Sequence, residues 1–185
     1  MNISLAQLSA FGWEVFRQAG LSQADAATAT DALLAADSWG IHTHGLKNLS
    51  GYVKRLKAGG INPLGQAWVA AEGPAWARVD GDASLGMIGS TFAMRQAIRK
   101  AEASGIGFAG LCNSCHFGAA GCYASLAADE GMIGIAMCND TPTVTVPGAR
   151  GPVLGSNPIA YAVPAGEQLV LLDIATSTVA GGKVF

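Results

Sequence analysis

Charge is scarce in this sequence: of 185 residues only 13% are Asp, Glu, Lys or Arg, against 50% apolar. The formal net charge is -2, which offers no basic surface for phosphates or anionic lipid, so neither nucleic acid nor membrane is expected as a partner. No apolar run approaches the ~18 residues of a bilayer-crossing helix. Residues 1–10 have no basic stretch ahead of a continuous apolar block, so no secretory signal is expected and the cytoplasm is the expected compartment. Cysteine is limited to Cys112, Cys115, Cys122 and Cys138, expected to stay reduced in that compartment. Histidine occurs only at 42, 44 and 116. Repeats and low-complexity tracts are absent.

What is abundant is apolar and small, the composition of a globular chain with a large core. With so little charge to cover its outside, a buried subunit interface and hence an oligomer are expected. Leu5, Leu8, Phe11, Val15 and Phe16 recur at three-to-four spacing behind Ser4, an amphipathic helix ending near Gly20. Ser22, with Asp25 three residues on, opens a second helix through Ala26, Ala29, Leu33 and Ala36. A third is expected over 46–58, stopped by Gly59-Gly60 and Asn62-Pro63. Beyond this linker the texture changes to strands at 68–71 and 75–79, a helix over 87–103, a strand at 106–111, a helix over 119–128 and a strand at 132–137. Residues 144–146, 159–163 and 169–174 read as further strands. The expected organisation is therefore an N-terminal helical segment, 1–63, followed over 64–185 by an α/β part with a mixed sheet and helices.

Three local patterns suggest chemistry. Cys112-Asn113-Ser114-Cys115-His116 fits the attachment signature of a c-type haem, but that signature belongs to exported proteins and Cys112 closes a strand. The glycines at 105, 107 and 110 fit a dinucleotide fingerprint, yet here they follow a helix and lead into a strand, the reverse of the required order, so Gly105 reads as a helix C-cap. His42, His44 and His116 are together enough for zinc, but no carboxylate nearby is an obvious outer partner, and no metal is expected. A proton-transfer pair, His44 and His116, is the better reading because imidazole titrates near neutral pH. His44 is expected to begin one helix and His116 to precede another, near positive helix ends that disfavour the imidazolium.

Four blocks carry a resemblance. Thr43-His44-Gly45 followed by Leu49, Tyr52, Leu56, Gly59 and Ile61-Asn62-Pro63 resembles the opening block of the malate/L-lactate dehydrogenase family, the type unrelated to Rossmann dehydrogenases. The stretches 113–121, 155–158 and 172–177 are similar to its later blocks in order and spacing. The resemblance implies a non-Rossmann fold and an NAD- or NADP-dependent oxidoreductase of small 2-hydroxy or 2-oxo acids, assembled as a homodimer or larger. It implies His116 and His44 as acid/base residues, and Thr43, Asn48 and Asn157 beside the substrate. Asn139, Asp140, Asp173, Ile174, Ala175, Thr176 and Ser177 are then expected to line the cofactor.

Departures from the family pattern shape the expectation. Asn48 stands where the family has an arginine, so a bidentate clamp on a substrate carboxylate is missing. Gly181 stands where an arginine precedes Gly-Lys. The family usually runs beyond three hundred residues, so the fold is expected to be incomplete at its C-terminus, the chain stopping inside a helix after Ser177. Two other readings follow: an inactive, oligomerising remnant of the family, or a reductase of cyclic imino acids.

Overall fold

The structure is a computed structural model and describes residues 3–183. Its contacts divide the chain into two compact units, Met1–Ala119 and Ala120–Phe185. The change of texture at 63/64 falls inside the first.

In the first unit Ser4 caps helix α1, Leu5–Gln18, in a reciprocal capping box with Gln7. Ser22 caps α2, Gln23–Ser38, by accepting the Asp25 N–H. The buried stripe of α2 is Ala26, Ala29, Thr30, Leu33 and Ala36, and small residues at that spacing let α1 come close. The third helix differs from expectation at its start. Residues Leu46–Asn48 form a 3-10 turn, and α3 proper is Leu49–Lys57, burying Leu49, Tyr52 and Leu56 on one face. These side chains close a core with Phe16, Leu21, Leu33, Ile61, Leu85 and Met87.

A three-stranded mixed sheet completes this unit. Strands β1, Trp68–Gly73, and β2, Trp76–Asp80, form an antiparallel hairpin, and β3, Phe108–Cys112, pairs parallel to β2. The parallel pairing requires a crossover, provided by the 19-residue helix α4, Gly86–Ser104. Gly105 ends α4 in the left-handed conformation at φ 78. The glycine pattern at 105–110 is thus a helix stop and a strand entry, as its order implies.

The second unit packs α5, Gly121–Asp129, on an antiparallel sheet of β4, Gly134–Met137, β5, Ile159–Ala165, and β6, Gln168–Ile174. Its helix-facing positions are small, Ala160 and Ala162 being fully buried. The strand expected at 144–146 does not form: Val144 meets Leu154 only as an isolated bridge. Pro142 and Pro147 flank the segment and remove the N–H groups that would extend a ladder. The helix expected after Ser177 reaches Val184 and Phe185, which lie outside the described residues; within them the segment holds a 3-10 turn, Gly181–Lys183. Among the described residues no helix is long and apolar enough to cross a membrane.

Candidate active site

Three side chains of the first unit meet over a sequence separation of more than sixty residues. Tyr52 Oη lies 2.5 Å from Nδ1 of His116, and the imidazoles of His116 and His44 stack with centroids 5.7 Å apart and planes 23° from parallel. Tyr52 reaches this position because its ring belongs to the core face of α3, leaving it 3% exposed, while His116 sits exposed at the rim. Burial, then the neighbouring Cys115 and against them the Arg55 charge, leave the Tyr52 hydroxyl well above the ordinary tyrosine range. It is a neutral phenol at any physiological pH.

Two local devices hold the histidines. The first is a turn, His42–His44, followed by Gly45. The carboxylate of Asp37, at the end of α2, accepts the Leu46 N–H at 2.8 Å and pairs with His42 Nδ1 at 3.0 Å. A Cβ on Gly45 would stand 2.1 Å from that carboxylate, so a larger residue would push Asp37 off these partners. Thr43 Oγ1 lies 3.0 Å from His44 Nδ1, and Asn48 Nδ2 donates to the Thr43 carbonyl at 2.7 Å. The Asn48 amide is therefore turned back on the loop that presents His44.

The second device is the loop after β3. Asn113 takes φ 50, donating Nδ2 to Asp80 Oδ1 at 2.9 Å, while the Ala83 N–H donates to its carbonyl. Hydrogen bonds from the Asp82 N–H and from Asn113 hold the Asp80 carboxyl below its usual range. Cys115 packs against the core beside the Ser84 carbonyl, and burial raises its thiol. Cys112 is exposed at the end of β3, so the two cysteines of the haem-like spacing have different surroundings. The backbone of Cys115 and His116 rests on Gly86, the first residue of α4.

Several expectations change here. His44 ends a 3-10 turn rather than beginning a helix, and the helix after His116 starts only at Gly121. The helix start nearest the His116 backbone is that of α4, brought there by the β3 loop. His42 faces Asp37, a carboxylate that proximity in sequence did not reveal as a partner. Among the described residues, no three His, Cys, Asp or Glu side chains group to hold a metal ion.

The cofactor-lining candidates all fall in the second unit. Asp140 is exposed and knitted into its loop: its N–H donates to Asn157 Oδ1 at 3.0 Å, and Ser156 Oγ and the Thr141 N–H donate to its carboxylate. Burial pulls its carboxyl upward, but the bonds from Ser156 and Thr141 outweigh that and hold it below the usual range. Asn139 beside it is exposed. Asp173 Oδ2 accepts the Gly121 N–H at 2.7 Å, capping α5. Ile174, Ala175 and Thr176 are exposed, and the Thr176 hydroxyl and N–H both turn to the Ser156 carbonyl. Ser177 Oγ is buried and has no hydrogen-bond partner among the described residues. It is an unmet buried hydroxyl at the end of the exposed stretch 174–176.

The model of the family described as malate/L-lactate dehydrogenase matches residues 3–185. Malate dehydrogenase of Pyrococcus abyssi is 43% identical over 184 residues, 100% of this chain and 51% of that protein. The NAD(+) ureidoglycolate dehydrogenase of Escherichia coli K12 is 35% identical, over 90% of this chain and 48% of its own length. The solved structure of malate dehydrogenase from Pyrococcus horikoshii OT3 superposes with a TM-score of 0.96 at 41% identity, covering 100% of this chain and 53% of the other. The chain spans about half the length of the relatives it matches.

Proposed function

The chain belongs to the malate/L-lactate dehydrogenase family, and from that premise we propose that it carries the proton-transfer residues of an NAD- or NADP-dependent oxidoreductase acting on a small 2-hydroxy acid and its 2-oxo acid. The observation that carries this reading is the stacked pair His44 and His116 with Tyr52 bound to one of them. Interconverting an alcohol and a carbonyl requires one proton to leave or join the oxygen, and a histidine at hydrogen-bond distance is the side chain suited to this near neutral pH. Such help is worth ~10² to 10⁴ in rate.

When bound, the nicotinamide supplies the hydride chemistry. Asp140, Thr176 and Ser177 would hold it, with Asn139, Asp173, Ile174 and Ala175 in the same two segments; the unpartnered Ser177 hydroxyl supports this. Thr43, Asn48 and Asn157 are proposed beside the substrate. In the oxidative direction an imidazole accepts the hydroxyl proton; in reduction an imidazolium returns it. A homodimer in the cytoplasm is the assembly and place that go with this reading.

A screen of the protein with NADH and NADPH against a panel of 2-oxo acids tests the proposal. Loss of reduced nicotinamide absorbance with at least one acid is expected. No turnover with any acid or either cofactor overturns it.

A further inference from the structure

His44 and His116 are equivalent in kind but not in surroundings. The partner of His44 Nδ1 is Thr43 Oγ1. An aliphatic hydroxyl rotates, so it donates to a neutral Nδ1 and accepts from a protonated one. The partner of His116 Nδ1 is Tyr52 Oη, a phenol whose ring is locked in the core and whose proton lies close to the ring plane. Among the described residues, Tyr52 Oη has no other hydrogen-bond partner. If His116 donated from Nδ1, the buried phenolic proton would be left without an acceptor, and an unmet buried donor is costly. The arrangement that satisfies both groups has Tyr52 donating to Nδ1, which puts the proton of neutral His116 on Nε2.

The stack adds a second constraint. Two imidazoles with centroids 5.7 Å apart repel if both are cations, so the pair takes up a second proton with difficulty. The ring whose partner adapts to both protonation states is the one suited to take the first.

We propose that Tyr52 is a positioning residue that holds neutral His116 in its Nε2–H tautomer, making His116 a fixed hydrogen-bond donor to the reacting oxygen and leaving His44 as the imidazole that carries the proton. The division of labour rests on the dehydrogenase reading above; the tautomer does not. In reduction His116 Nε2–H polarises the carbonyl while His44, as imidazolium, gives its proton to the developing alkoxide. In oxidation neutral His44 takes that proton back.

The test is nitrogen NMR of the chain labelled with 15N-histidine, the three imidazoles being assigned by single His→Gln variants. Two-bond proton-nitrogen correlations distinguish a protonated from an unprotonated ring nitrogen. At about neutral pH His116 is expected to show an unprotonated Nδ1 and a protonated Nε2. In Tyr52→Phe the His116 signals are expected to move toward the averaged positions of a tautomer mixture, with His42 unchanged as a check on the fold. A parent His116 protonated on Nδ1, or on both nitrogens, overturns the proposal even if the variant does not fold, and so does a folded variant with the parent's tautomer. None of these readouts needs turnover. The expected tautomer in a protein without activity contradicts the dehydrogenase reading alone.

Discussion

Gly86 lies so close beneath His116 that a Cβ built on it would stand 2.5 Å from the His116 carbonyl oxygen and 2.3 Å from that of Cys115. Both obstacles are backbone, so neither moves without displacing the loop that presents the imidazole. Gly86→Ala is expected to destabilise the protein by about 1–3 kcal/mol, as overpacking does, and to lengthen the Tyr52–His116 hydrogen bond. Thermal unfolding measures the first effect and the His116 nitrogen shifts the second. A variant with the parent's Tm and shifts would mean that the loop does not rest on α4.

The cysteines offer a pH-dependent check on the second unit. Burial, and then the Asp140 carboxylate, push the Cys138 thiol up to about 11. Because only the thiolate is alkylated, Cys138 is expected to be nearly inert to iodoacetamide at about pH 8 and to gain close to tenfold in rate per pH unit above it. Mass mapping of labelled peptides, with exposed Cys112 as the internal comparison, reads this directly. Labelling of Cys138 as fast as Cys112 at about pH 8 would contradict its buried setting.

Local rules made much of this fold legible. The helix starts at Ser4 and Ser22 and the stop at Gly105 each depend on residues within four positions, which a linear reading sees. The strand expected at 144–146 stops at one bridge to Leu154 because Pro142 and Pro147 flank it, a limit that the alternation of its residues does not show. The same limit applies to the site. His44 and His116 stood out as rare residues in recognisable blocks, but Tyr52 entered only as one residue of the block that follows His44, with no role of its own. Its hydroxyl acquires its role from a residue 64 positions away. Asp37 was not singled out, for a related reason: only the fold of the His42–His44 turn brings the Leu46 N–H to it. Gly45 and Gly86 are explained by what would collide with them, which no composition or period reports.

Histidine proton transfer is the central claim, and kcat for reduction of a 2-oxo acid by His44→Gln, measured beside its parent, tests it most directly. Glutamine keeps a polar side chain of similar reach but carries no transferable proton. The variant is expected to lose ~10² or more in kcat with KM little changed, the pattern of an interaction made in the transition state. Near-parental kcat in His44→Gln would contradict the account.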